Sequence, residues 1–187
     1  MKSRAQGFTL VEVLVALIVI SVGLLGVAKL QAVALSSTGI AGKRSMAALQ
    51  AAGLASAMHA DRSYWSAITV PNTRVTATGN SFTSSDPLLN PGASCQGTTC
   101  SVSDMASYDL LQWAQSALLT LGTTYQGFIV CQPAVLTPNE IPANCQITLT
   151  WTENIVATDA TQAAAAQTNL GAPPKLQTPT YVLFVTP

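Results

Sequence analysis

Few residues in this chain have the type and spacing to do chemistry. Four cysteines sit at positions 95, 100, 131 and 145, and none in the first 90 residues. An even number confined to the C-terminal part favours two disulfides and an oxidising compartment over free thiols. Three connectivities are possible. The favoured pairs are Cys95–Cys100, which closes the short loop "CQGTTC", and Cys131–Cys145, at the end of one strand-like run and the start of the next. The lone His59 cannot build a His-rich zinc site, and the cysteines lack C-x-x-C spacing. No G-x-G-x-x-G, Walker or G-x-S-x-G stretch occurs. Trp65, Trp113 and Trp151 read as core rather than as a ligand platform. No catalytic residue, metal or cofactor is expected, and the chain does not read as an enzyme.

The most pointed residue is Glu12. It is the one charge among the 21 residues from Phe8 to Ala28. As a helix this run extends ~30 Å, the thickness of a bilayer's hydrocarbon core. Lys2 and Arg4 precede it, which keeps residues 1–7 in the cytoplasm by the positive-inside rule. A lone carboxylate at mid-bilayer costs roughly 3 kcal/mol and less near an interface, so it calls for a partner or for snorkelling. An ordinary signal peptide places small residues after the apolar run. Here the unusual junction precedes it, at Gly7-Phe8. Cleavage there would leave the hydrophobic helix on the mature chain; an uncleaved signal anchor is the alternative.

"GFTLVEVLVAL" resembles the class III signal of type IV prepilins and pseudopilins. The resemblance implies that a prepilin peptidase cuts after Gly7 and that Phe8 becomes the N-methylated first residue. Glu12 would then receive the positive N-terminal amine of a neighbouring subunit's Phe8 in a growing filament, helping to set the stagger between helices. Within that family, "GLLGVAKLQ" at 23–31, the Cys loop before "YDLLQW" and "ITLTW" at 147–151 resemble the minor pilins called PilV.

The elements that must carry these residues follow from the pattern. Residues 29–61 continue the helix, with Ala47, Ala51, Leu54 and Met58 on one face. Ser36, Ser37 and Gly39 allow a bend near 36–42, and Gly23 and Gly26 allow local softening. His59 and Asp61-Arg62 read as solvated. Residues 63–103 form a long loop with short strands near 67–70 and 74–78. Residues 104–121 form an amphipathic helix capped by Ser103 or Asp104, with Leu110, Trp113, Ala114, Ala117 and Leu121 inward and Gly122 as its stop. Strands are expected at 126–132, 145–152 and 180–186, and an exposed loop at 161–175. The fold class is α+β. The resemblance implies the pilin lollipop, a long N-terminal helix (apolar in its first half) packed on an antiparallel β-sheet with an additional helix. The expected divisions are a leader at 1–7, a transmembrane or filament-core helix at 8–28, its amphipathic continuation at 29–61, and a globular periplasmic or extracellular head at 62–187.

Charged residues make up 9% of the chain and the formal net charge is zero, so nucleic acid is not an expected partner. A DNA-uptake role would need a basic strip, and past residue 7 the cations are Lys29, Lys43, Arg44, Arg62, Arg74 and Lys175. The resemblance implies a minor pilin that primes pilus assembly, with a place at the pilus tip open to it. Its implied partners are other minor pilins, the major pilin, prepilin peptidase, the inner membrane before assembly, and room for a tip adhesin. Its implied location is the bacterial inner membrane as a single pass with the head in the periplasm, then the fibre at the cell surface. The competing reading is a minor pseudopilin of type II secretion.

Overall fold

A computed structural model describes residues 9–97, 99–135, 140–154 and 176–187. The chain divides into two compact units, residues 1–39 and 40–187. Helix α1 runs Leu10–Ala60, α2 is the single turn Arg62–Trp65, and α3 spans Val102–Leu121. The strands are β1 (Thr73–Thr78), β2 (Ser81–Ser84), β3 (Gln126–Gln132), β4 (Asn144–Thr150), β5 (Glu153–Asn154), β6 (Leu176–Gln177) and β7 (Thr180–Val185). The fold is α+β and pilin-like, a long N-terminal helix with an antiparallel sheet and a further helix.

The larger sheet is antiparallel throughout, in the order β2-β1-β3-β4-β7. Its strands alternate as the pleat requires. Val75, Ala77, Ile129, Cys131, Cys145, Ile147 and Leu149 turn into the core. The C-terminal part of α1 contributes Ala47, Ala51, Leu54 and Met58 to that core, the face expected from their spacing. From α3 come Ala106, Leu110, Trp113, Ala114, Ala117 and Leu121. Polar bonds tie the two helices: Trp113 Nε1–H donates to the Gln50 carbonyl at 2.9 Å, and Gln50 Nε2 donates to Ser116 Oγ at 2.8 Å and Thr120 Oγ1 at 3.2 Å. Trp113→Phe keeps much of the apolar area and removes one donor, leaving that carbonyl short of a partner. The expected cost is about 1 kcal/mol in chemical denaturation.

Several details depart from the sequence reading. Residues 67–70 form no strand; Asp61 to Ala67 instead make a turn of helix and its exit, which buries Tyr64 and Trp65 edge to face at 5.1 Å. A second strand, β2, pairs with β1 through a turn at Gly79, whose φ of 60° suits glycine. Helix α3 starts two residues early, because Ser101 and not Ser103 or Asp104 is the N-cap, its Oγ accepting the Asp104 N–H at 3.2 Å. Helix α1 is unbroken through Gly23, Gly26 and residues 36–42. The hydroxyls of Ser37 and Thr38 both bond back to the Ala34 carbonyl at 2.9 Å, which satisfies them without opening the helix.

Asp61 is the clearest correction. It is half-buried where α1 ends, and its Oδ2 is buried with no hydrogen-bond partner among the described residues. Burial first, and then the Asp109 carboxylate on α3, push its carboxyl up to about 6 from an ordinary 3.8. A proton on Asp61 removes this repulsion and the cost of burying its charge. The folded state therefore holds a proton that the unfolded chain releases. This group's stabilising contribution is full below about pH 4 and is lost as pH rises to about 6. Melting temperature measured from pH 4 to 7 should fall across that window in the wild type, and the fall should shrink in Asp61→Asn.

Candidate functional site

The N-terminal unit presents the candidate assembly surface. Every described residue from Leu10 to Gly39 is exposed. These include Leu14, Leu17, Ile18, Ile20, Leu24 and Leu25, each more than half exposed. Among the described residues no apolar surface covers this run of Val, Ile and Leu, and apolar area of this extent is costly in water. Residues 10–28 rise roughly 28 Å, so α1 is long and apolar enough by length and composition to cross a membrane.

The helix begins in a specific way. Thr9 precedes it, and its Oγ1 accepts the Glu12 N–H at 3.3 Å, while the Thr9 carbonyl accepts the same N–H at 3.1 Å. Thr9 and Glu12 thus occupy the first and last places of a T-x-x-E capping box. This was legible in "TLVE" and the sequence reading passed over it. The consequence is positional. Glu12 is held in the first turn, where the positive end of the helix dipole favours a carboxylate, on the exposed surface and at the end of the span rather than at its middle. Gly7 and Phe8, the expected cleavage site and new N-terminus, lie outside the described residues.

The two cysteine pairs are joined in the structure. Cys95 and Cys100 bridge with Cα atoms 5.7 Å apart, just ahead of α3. Cys131 and Cys145 face each other across β3 and β4 with Cα atoms 4.0 Å apart. The second bridge lies buried in the core and closes the hairpin whose arms touch again at Val135 and Ile141. Residues 136–139 of that loop lie outside the description. Replacing Cys131 and Cys145 together by alanine should lower stability by about 3 kcal/mol in denaturant titration. The same change at Cys95 and Cys100, which close a much shorter and exposed loop, should cost less.

A second polar tie was not anticipated. Glu153, 3% exposed, takes a bidentate approach from Arg44 on α1, with Nη2 at 3.0 Å and Nε at 3.2 Å from Oε2. The Trp151 indole N–H donates to its Oε1 at 2.8 Å. A buried carboxylate is tolerable only when satisfied in this way. Arg44→Ala should lower the melting temperature clearly more than Lys43→Ala, its exposed neighbour. Among the described residues, no three metal-ligating side chains come together.

Residues 2–28 match the family model described as the prokaryotic N-terminal methylation motif. No curated protein and no solved structure matches the chain. The chain therefore carries the N-terminal signal of type IV pilin- and pseudopilin-like proteins, on a helix suited to membrane anchoring.

Proposed function

We propose that the protein is a minor type IV pilin, a structural subunit processed at Gly7-Phe8 that helps to prime pilus assembly. The observation that carries this reading is the coincidence of the methylation motif with a capped, exposed Glu12 at the start of an unpartnered apolar helix. Membrane lipid covers that surface first, with the C-terminal unit on the periplasmic side. Neighbouring pilin helices cover it later, and the Phe8 amine of one subunit meets Glu12 of another. Such a contact removes both charges from water, which is favourable only because they pair. Prepilin peptidase, the major pilin and other minor pilins are the partners of this reading. The head motifs "YDLLQW" and "ITLTW" fit a PilV-type subunit, with the fibre tip and its adhesin as the place of work. The cross-strand disulfide Cys131–Cys145, which ties the core of the sheet, suits a head exposed outside the cytoplasm.

The alternative within the same class is a type II secretion pseudopilin. Filaments sheared from the cell surface and probed for this chain separate the two. Presence in surface fibres supports the pilus. Confinement to the periplasm in cells that make surface fibres supports the pseudopilus.

A further inference from the structure

Glycine is the weakest helix former after proline, so a glycine inside a helix asks for a reason. Gly42 and Gly53 lie in the part of α1 that belongs to the C-terminal unit. A Cβ added at either would meet nothing within 4 Å. No neighbour in the described chain needs the missing side chain. Both glycines stand on one stripe with Met46 and Leu49, at spacings of four, three and four residues. At about 100° per residue the four fall within about 60° of one another, on the side of α1 turned away from Ala47, Ala51, Leu54 and Met58. Met46 and Leu49 are exposed, at 47% and 62%. No charged side chain stands on the stripe.

Helix α3 completes the surface. Gln50, next to Leu49, bonds to Ser116 and Thr120, which brings Leu119 to the same level of the two helices. Leu119 is 86% exposed. Leu49 and Leu119 each lie opposite the buried face of their own helix, so both stand on the outer side of the layer that α1 and α3 form. Arg44 is tied to Glu153, which stands at one end of residues 155–175, a segment outside the description. It leaves α1 on the other side, about 140–200° around the helix from the stripe.

We propose that this two-helix face seats the apolar N-terminal helix of a neighbouring pilin-class subunit; the inference rests on the filament reading above. Its glycines admit a close backbone, and spacings of four and three residues follow a helix packed alongside. Its lack of charge suits an apolar occupant. In the sequence the same spacing continues through Gly39, Leu35, Ala32, Ala28 and Leu25. The contact therefore lies along α1 and keeps subunits inserted in the same direction parallel. The centre of the seat lies about 28 residues beyond the centre of the apolar run, so the seated subunit is displaced by roughly 40 Å at about 1.5 Å per residue. It is a different neighbour from the one whose Phe8 amine meets Glu12.

The test uses the full chain in cells that make surface fibres, reading its amount in sheared fibres against its amount in membranes. Gly42→Leu should raise the melting temperature of the purified protein, since leucine is the better helix former and the site is open. The same change should lower fibre content at least fivefold. Leu49→Glu and Leu119→Glu should each lower it as much. Leu88→Glu, at an equally exposed leucine in the loop ahead of α3, should not. Met46 replaced by the photo-crosslinker benzoylphenylalanine should join the N-terminal apolar helix of another subunit, read by mass spectrometry of the linked peptide. Wild-type fibre content in the three stripe variants overturns the inference. So does a link to a head, or no link in fibres that contain the chain. A lowered melting temperature in Gly42→Leu gives that glycine an internal role and overturns it too, and equal loss in Leu88→Glu overturns the assignment to this face. Absence of the wild-type chain from surface fibres removes the pilus reading itself, an outcome distinct from all of these.

Discussion

Glu12→Ala is expected to leave membrane insertion and leader removal intact and to cut incorporation into filaments at least tenfold. Insertion depends on the apolar length of α1, which the change only increases. In the proposed reading the cleaved bond, Gly7-Phe8, lies ahead of Glu12, and the leader should still be removed from the variant. Assembly is different. In the filament reading, the Phe8 amine leaves water for a partner's carboxylate. Without that carboxylate the amine is stranded, and a stranded buried charge costs about 3–5 kcal/mol. Only ~1.4 kcal/mol suffices for a tenfold loss. The capping bond makes the experiment cleaner, because it is the backbone N–H of residue 12 that Thr9 receives, and alanine retains it. Helix entry should therefore survive, which circular dichroism of the purified variant will show. Glu12→Gln separates charge from hydrogen bonding: if charge pairing is the cause, glutamine should behave almost as badly as alanine. Normal filament content of either variant, measured by quantitative immunoblot of sheared fibres, would remove the docking role from Glu12.

A large stability effect from a single added methyl is expected at Gly127. It lies on β3 with the Trp113 ring across its face, and an added methyl would stand 2.5 Å from the tip of that ring. A flexible side chain would yield. Trp113 cannot do so easily, because its indole N–H is bonded to the Gln50 carbonyl and its ring is 94% buried between α1, α3 and the sheet. Gly127→Ala should therefore cost about 2–3 kcal/mol as overpacking, although alanine is otherwise the better strand residue. The double variant with Trp113→Leu should be less damaged than the sum of the single changes, since the smaller side chain makes room for the methyl. Simple additivity in equilibrium denaturation would show that the close approach does not limit Gly127.

The elements legible in the sequence are those whose pattern is local. The inward face of α1, the inward face of α3, and β3, β4 and β7 could be read because burial repeats at the helical or strand period over a turn or more. Strand β2 and helix α2 are four residues each, too short for a period to stand out. Asp61 looked solvated beside His59 and Arg62, since nothing in "HADR" says that Asp109 will be folded against it. The same holds for Arg44 and Glu153, which meet across 109 residues. The one local clue was an acid two residues beyond Trp151, in phase with the alternating buried positions of β4. The N-terminal motif was legible because it is linear, a match confined to residues 2–28; in the proposed reading leader, Gly7, Phe8, Thr9 and Glu12 act through their order along the chain. The order of strands in the sheet was not, because which strand stands at an edge is decided by long-range pairing.

The measurement that tests the account most directly is mass spectrometry of the N-terminal peptide from protein isolated from its native membranes. The account predicts a mature chain that starts at Phe8 with a methylated amine, continues as "TLVEVLVAL" and retains the whole of α1. A chain that begins at Met1, or one cut on the far side of Ala28, would contradict it.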